Sequence, residues 1–341
     1  MGVVLLNYCG VADTLACLDS LLASDEPFVR LVICDNASPD GSLARLRDGL
    51  ADRAVSLAAA AERHGLVGLR HWAESKSSEV NPHAAPIDAW VLLFDNQANR
   101  GFAAGNNVGL RWLQSIEAVT HFWLLNNDTE VPPGTLAALR SAIAEDSGVD
   151  LWGGTVLYHH DPARVQALCG GALNRRTAET RHLGAFTGSG DVPCDAASVA
   201  RIESQADYVL GACMVVSRRW LARAGLMCED YFLYYEELDW AMQGKNSGLR
   251  LGYAPKVVVL HKEGATIGTS PGGGSPLSVH NLVRSRVIFV RRHLGFSVWP
   301  TVILGLVRQI LKLMLRTKAR LALATMSGLL AGLRARTEVS K

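Results

Sequence analysis

Short, continuous apolar runs, each closed by a polar cluster, set the rhythm of the first 130 residues. Val3-Val4-Leu5-Leu6, Leu31-Val32-Ile33-Cys34, Val91-Leu92-Leu93-Phe94 and Phe122-Trp123-Leu124-Leu125 carry no polar alternation. Runs of that kind read as strands buried on both faces. Between them, Thr14–Ala23, Ser42–Leu50 and a stretch from Gly105 to Ile116 have helical spacing. Buried strands alternating with helices predict an α/β, Rossmann-like fold, a mostly parallel sheet flanked by helices. Ala58–Ala61 is helix-prone, whereas Glu74–Pro86 is polar, holds two prolines and reads as a surface insertion. Pro132-Pro133 is expected to open a further helix, because proline suits the first helical position.

Beyond residue 150 the strands become shorter and the loops longer. Asp207–Ser217 predicts a strand pair or a strand entering a helix, and Tyr231–Gly244 carries Leu238 and Met242 at helical spacing. Val257-Val258-Val259-Leu260 is a late strand ending on His261, and Gly272-Gly273-Gly274 a flexible loop. The last stretch is helical: Val279–Leu294, an apolar Phe296–Val307 interrupted by Pro300, and an amphipathic Leu311–Leu333. The middle piece falls short of the roughly 20 residues a membrane span needs.

Charge changes this picture. Residues 264–341 carry 12 Lys/Arg against the single acid Glu338, while the preceding part is net −9. Basic residues interleaved with aliphatics predict a helix lying on an anionic membrane surface, over residues 280–336. The alternative is a hairpin packed on the main domain or on a second copy in a homo-oligomer. Few aromatics accompany the basic residues, which argues against nucleic acid. A chain 49% hydrophobic and 19% charged is neither disordered nor fibrous. Its seven cysteines form no C-x-x-C pair and read as reduced thiols. With no basic n-region at the start, the expected location is cytoplasmic, peripheral on the inner face of the cell membrane.

Ligands of an open parallel sheet bind beyond the carboxyl ends of its strands. Four polar clusters fall there: Asn7-Tyr8, Asp35-Asn36, Asn99–Asn107 and Asn126-Asn127-Asp128. Asp35 could accept from a base or ribose, or simply shape its turn. Gly101-x-x-x-Gly105 could admit a diphosphate to a helix N-terminus, or only make a tight turn. Asp128, at a buried strand end, suits Mg²⁺ or Mn²⁺ with diphosphate oxygens completing the shell, or else caps the next helix. Glu236, Glu237 and Asp239 crowd three carboxylates into four residues, which raises one of them toward a general base unless they form an ordinary acidic face. His261 is a further metal ligand or a satisfied core histidine.

Taken in order, these segments resemble the inverting family 2 glycosyltransferases, especially the rhamnosyltransferase-like branch, over residues 3–293. Val4-Leu5-Leu6-Asn7-Tyr8 is similar to that family's first strand, and Val32–Ser42 to its nucleoside-binding signature. Asn99-Arg100-Gly101-Phe102-Ala103-Ala104-Gly105-Asn106-Asn107 is similar to its donor loop. Leu124–Asp128 resembles its metal motif, Gly211-Ala212-Cys213-Met214 its acceptor-side segment, and Phe232–Trp240 its acidic catalytic segment. His261-Lys262-Glu263-Gly264-Ala265-Thr266 is similar to its late histidine motif.

The resemblance implies a GT-A type fold over 1–275, with a nucleotide-binding half (1–130), an acceptor half (131–275) and a basic helical extension (276–341). It implies a UDP- or dTDP-sugar donor bound by Asn7, Tyr8, Asp35, Asn36, Asn99, Arg100, Gly101, Gly105, Asn106, Asn126 and Asn127. Asp128 and His261 would hold Mg²⁺ or Mn²⁺, and Glu237 would deprotonate a hydroxyl of a glycan or lipid-linked glycan, tuned by Glu236 and Asp239. Glu237 departs from the family's usual Asp, a shift of about an ångström at the carboxylate, where placement governs rate. Cys9, Cys228 and Gln243 are other departures. A non-catalytic nucleotide- or glycan-binding partner of the same fold is the alternative. The absence of G-x-G-x-x-G after the first strand argues against a dinucleotide oxidoreductase.

Overall fold

A computed structural model describes residues 1–24, 26–66, 68–76, 88–262 and 274–335. Its first half runs β1 (Gly2–Asn7), α1 (Val11–Leu22), β2 (Arg30–Asp35), α2 (Ser42–Asp52) and α3 (Ala54–Arg63). β3 (Arg70–Lys76), β4 (Ala89–Asp95), α4 (Phe102–Gln114) and β5 (His121–Asn126) complete that half. Then come β6 (Thr129–Glu130), α5 (Thr135–Glu145), β7 (Leu151–Tyr158), β8 (Asp161–Leu168), β9 (Gly170–Asn174) and β10 (Glu179–His182). α6 (Ala196–Gln205), β11 (Tyr208–Val209), β12 (Cys213–Ser217), α7 (Arg218–Ala224), α8 (Glu236–Asn246) and β13 (Leu251–His261) follow. The C-terminal part is α9 (Pro276–Phe289), a π-helical turn (Val290–Leu294), α10 (Trp299–Leu315) and α11 (Ala319–Arg334).

The main sheet has the order β3-β4-β2-β1-β5-β12-β7-β13-β6, with β8 also paired to β7. β3, β4, β2, β1 and β5 are parallel. β12 alone interrupts them, antiparallel to both β5 and β7, and β13 returns parallel to β7. The carboxyl ends of β1, β2, β4, β5, β7 and β13 therefore share one edge. A three-stranded sheet, β10-β9-β11, is separate. The apolar runs are buried on both faces because successive side chains alternate between two cores. Val4, Val32, Leu92 and Leu124 join one cluster. Val3, Leu5, Leu31, Ile33, Val91 and Leu93 join the other. All seven cysteines are free.

Several boundaries differ from expectation. Arg70–Lys76, partly assigned to a surface insertion, is a parallel edge strand. Ala73 and Ser75 face inward while Arg70 and Glu74 pair with Asp88 and Arg47, and with Lys76 three of its seven positions are charged. Residues 77–87 of that insertion lie outside the described residues. α4 begins at Phe102, three residues early, because Gly101 turns with φ +97°. The helix expected at Pro132-Pro133 starts instead at Thr135, after Gly134 at φ +83°.

The tail also differs. Pro300 lies in the first turn of α10 and opens that helix. Phe296–Leu315 is consequently a continuous 20 residues, long and apolar enough by length and composition to cross a bilayer. The expected single helix over Leu311–Leu333 is broken around Thr317, which has φ +56°. α9 belongs to the body of the fold: Ile288 and Phe289 are in the main core. α11 lies close on α9, where a Cβ on Gly328 would stand 2.4 Å from the His280 carbonyl oxygen. Gly272 and Gly273 of the expected loop lie outside the described residues.

Candidate functional site

The strand ends come together in register: Asn7 opposite Asp35, Asp35 opposite Asp95, and Leu6 opposite Asn126. Asn7 Nδ2 donates to Asp35 Oδ1 at 2.7 Å, and Asn7 Oδ1 accepts from Thr14 at 2.8 Å. Asp35 also accepts from the Ser38 hydroxyl (2.8 Å) and the Ser38 amide (3.0 Å). Asp35 is buried, and its first role is to close the β2 turn. Asn36 Nδ2 donates to Asn99 Oδ1 at 3.0 Å, and Asn99 Oδ1 accepts from the Gly101 amide at 3.0 Å. These asparagines tie the 99–105 loop to the end of β2. Beside them a cavity of about 300 Å³ is lined by residues that include Asn36, Asn96, Arg100, Gly105, Arg111 and Glu229.

Some expected donor residues are occupied elsewhere. Asn106 Nδ2 donates to the Phe102 carbonyl within its own helix. Asn127 Nδ2 donates to Thr14 Oγ1 at 2.9 Å and so fastens β5 to α1. Tyr8 is half-buried on the β1–α1 connection.

Asp128 and His261 meet. Asp128 Oδ1 is 3.1 Å from His261 Nε2, and both side chains are nearly buried. His261 Nδ1 lies 2.8 Å from Oε1 of the buried Gln166. With Nδ1–H donating there, Nε2 turns its lone pair toward Asp128 and toward Asn126 Nδ2, 3.3 Å away. Two acceptors at 3.1 Å repel each other unless a proton or a metal cation lies between them. With that proton on Nε2, His261 donates to Asp128. Burial works to raise the Asp128 carboxyl, but this hydrogen bond and the ring's charge outweigh it and hold it below its ordinary value. Two ligands at right angles, with bonds of about 2.1 Å, stand roughly 3 Å apart, so the pair fits one octahedral ion. Gln166 holds the His261 ring through Nδ1, the kind of outer hydrogen bond that orients an imidazole toward a metal. Among the described residues no group of three or more His, Cys, Asp or Glu could hold a metal by itself. A metal held by this pair would have two protein ligands and would take the remainder from a bound molecule or water.

The acidic segment is set by an unusual turn. Tyr234 and Tyr235 both have positive φ, +69° and +70°, and α8 begins at the next residue. Consecutive left-handed non-glycine residues are costly and mark sites where position matters. Tyr235 is pinned through its hydroxyl to the Ala178 carbonyl (2.5 Å), and Tyr234 to Ser278 Oγ (2.7 Å). Glu237 rests on Gly211, where a Cβ would come within 2.5 Å of Glu237 Oε1. Ala212, next to Gly211, accepts from the Asn126 amide at 3.3 Å. On its other side the segment touches the 99–105 loop: Phe102 N donates to the Phe232 carbonyl at 2.9 Å, and a Cβ on Gly101 would collide with that oxygen. The segment is thus tied to the 99–105 loop through Phe232, while Glu237 itself lies on Gly211, whose neighbour Ala212 is bonded to the end of β5.

Glu236 is nearly fully buried, and its Oε2 has no hydrogen-bond partner. Burial, then the nearby Glu237, push its carboxyl well above the usual range. Burial raises Glu237 too, while the amides of Glu237 and Gly211 pull it back. Asp239 requires a correction to its expected place in the catalytic group. It is fully buried, and Oδ1 takes hydrogen bonds from Tyr231 (3.0 Å), Arg292 (3.1 Å) and His293 (2.5 Å). Oδ2 takes one from Gln243. Its oxygens are occupied by the protein, so Asp239 fastens the π-helical turn to α8. Gln166, Arg292 and His293 were not legible as site residues in the sequence. Gln166 sits mid-strand and the other two act through contacts distant in the chain. The segment Glu263–Thr266 lies outside the described residues.

No family model matches the chain. Its sequence is 21% identical over 194 residues to the low-salt glycan biosynthesis hexosyltransferase Agl10 of Haloferax volcanii. That match covers 55% of this chain and 57% of the relative, little more than half of its length. Among solved structures, the mannosyltransferase PcManGT of Pyrobaculum calidifontis, in complex with GDP-Man and Mn²⁺, is similar with a TM-score of 0.50. Identity there is 16%, over 98% of this chain and 87% of the other. GalNAc-T7 with UDP, GalNAc and Mn²⁺ is similar with a TM-score of 0.54 at 14% identity, over 85% of this chain and 47% of the other. The chain has a GT-A-like glycosyltransferase fold, a large mixed sheet flanked by helices with a C-terminal helical extension.

Proposed function

We propose that the chain is a metal-dependent inverting glycosyltransferase of family 2, of the rhamnosyltransferase-like kind. It moves a rhamnose-like sugar or other hexose from a UDP- or dTDP-sugar to a glycan or lipid-linked glycan, in cell-surface polysaccharide synthesis. The observation that carries this reading is the Asp128–His261 pair at the end of β5, with Glu237 on Gly211 and the neighbouring Ala212 bonded to Asn126. The Mn²⁺ in both similar structures and the hexosyltransferase relative support it.

Asp128 and His261 would hold Mg²⁺ or Mn²⁺. When bound, that ion neutralises charge on the diphosphate leaving group. Asp35, Asn36 and Asn99 order the loop that receives the nucleotide, with Asn7, Tyr8, Arg100, Gly101, Gly105 and Asn126 around it. Glu237 accepts the proton of the acceptor hydroxyl as it attacks the anomeric carbon from the face opposite the diphosphate. Glu236, enclosed beside Glu237 with its carboxyl pushed upward by burial, would tune that base. Incubation with a panel of UDP-, dTDP- and GDP-sugars and Mn²⁺ or Mg²⁺ tests the reading. Metal-dependent release of nucleoside diphosphate is expected from at least one donor. A properly folded chain that releases none from the panel is a binding partner only.

The α10–α11 face is assigned to the inner surface of the cell membrane. Leu304, Leu311, Met314, Leu315, Leu323 and Leu330 are exposed there, beside Lys312, Arg316, Lys318 and Arg320. Arg286 and Arg292 of the expected basic stretch instead turn inward, to Thr177 and Asp239. Flotation with phosphatidylserine vesicles is expected to carry the native chain and to lose the double variant Leu311→Glu, Leu315→Glu. Equal flotation of both would remove membrane binding from this face.

A further inference from the structure

Thr129, His261 and Tyr158 occupy one row across β6, β13 and β7. The row passes from the Asp128–His261 pair onto a group of rings that nothing above employs. Phe186 stacks on Tyr158 with centroids 5.9 Å apart and planes 21° from parallel, and His160 packs against Tyr158 at 5.3 Å. Tyr158 is only 8% exposed, whereas Phe186 is 67% exposed, so the group presents the outer face of Phe186 to solvent. A lone exposed apolar side chain needs no explanation. This one is held at φ +66°, a backbone region where bulky residues are outliers and Gly or Asn would be cheaper. Its amide donates to the Val165 carbonyl at 2.8 Å, and the adjacent Gln166 holds His261. Two neighbouring residues of β8 therefore carry the ring and the metal-binding imidazole together.

We propose that Phe186 is a stacking platform for a pyranose ring of the acceptor. The inference rests on the glycosyltransferase reading and identifies the acceptor's recognised part as carbohydrate. A pyranose has an apolar face of axial C–H bonds and a rim of hydroxyls. The platform matches that pattern: a single flat ring supported from beneath by Tyr158, with the polar pairs His159–Glu130 (3.2 Å) and Arg164–Asp161 (3.1 Å) carried by residues adjoining Tyr158 and Val165 in the chain. One ring with a polar surround is too small for an acyl chain or an amphipathic helix, which need a contiguous apolar strip. The acceptor ring would lie beyond His261, on the side where β7 and β8 pair.

Saturation-transfer NMR on the full chain tests this, with a mixture of methyl glycosides of rhamnose, mannose, glucose and galactose as probes. At least one is expected to show transfer concentrated on the ring protons of one face. Phe186→Ala should reduce it at least tenfold, and Phe186→Trp should keep it. Binding of UDP, dTDP or GDP with Mn²⁺, followed by thermal shift, should be the same in all three proteins and certifies their folding. Equal transfer in Phe186→Ala overturns the platform. So does the absence of transfer in a native chain that still binds a nucleoside diphosphate with Mn²⁺. If no nucleoside diphosphate binds either, the glycosyltransferase reading fails and the platform with it.

Discussion

Glu237→Gln is expected to lower sugar transfer about 10²–10⁴-fold, the range that a positioned general base contributes. The variant keeps the shape and much of the packing against Gly211, so donor binding and melting temperature should stay close to native. The native rate should also carry the mark of the base. Burial raises the Glu237 carboxyl, so its protonated, inactive form takes over at a higher pH than for a free side chain near 4.3. As pH falls, transfer should therefore decline above that ordinary value. Glu237→Gln should lose this acid limb. A Glu237→Gln protein with native rate at pH 7 would remove the base assignment and favour a base elsewhere. A Glu237→Asp variant is informative as well, since it restores the residue usual in the family that the chain resembles. The site here is spaced for the longer side chain, with Gly211 leaving no room for a Cβ.

Asp239→Ala should have its effect on the fold rather than on chemistry alone. The carboxylate sits at the centre of Tyr231, Gln243, Arg292 and His293, and Arg292 is itself mostly buried. Removing one partner of a buried ion pair leaves the other uncompensated, at a cost of about 3–5 kcal/mol. Chemical denaturation should show a loss of that size, and the π-helical turn and α10–α11 should loosen first in hydrogen exchange. Asp239→Asn, which keeps the volume and part of the hydrogen bonding, should lose less. If Asp239→Ala were as stable as native yet inactive, Asp239 would belong to the catalytic group after all.

The two differences illustrate how far the sequence could be read. The central strands were legible because burial on both faces leaves uninterrupted apolar runs, and the polar clusters closing them marked the edge where Asp128 and His261 meet. β3 was not, because an edge strand buries only half its positions and its charged positions looked like loop. Glu236, Glu237 and Asp239 looked equivalent because spacing within one turn does not show which carboxylate faces which neighbour. Burial separates them: Glu237 on Gly211, Glu236 enclosed and unpartnered, Asp239 sunk beneath Arg292 and His293. In the tail, Pro300 read as a break, but a proline in a first helical turn is a start signal. The breaker was Thr317, a residue with no strong local preference for the left-handed region.

Nucleoside-diphosphate affinity with and without Mn²⁺, measured by calorimetry on the native chain and on Asp128→Asn, tests the central claim most directly. With the metal pair as described, UDP, dTDP or GDP binds the native chain at least tenfold more tightly with Mn²⁺ than with a chelator, and Asp128→Asn abolishes that gain. Metal-independent binding by the native chain, or a full Mn²⁺ effect in Asp128→Asn, would contradict the account.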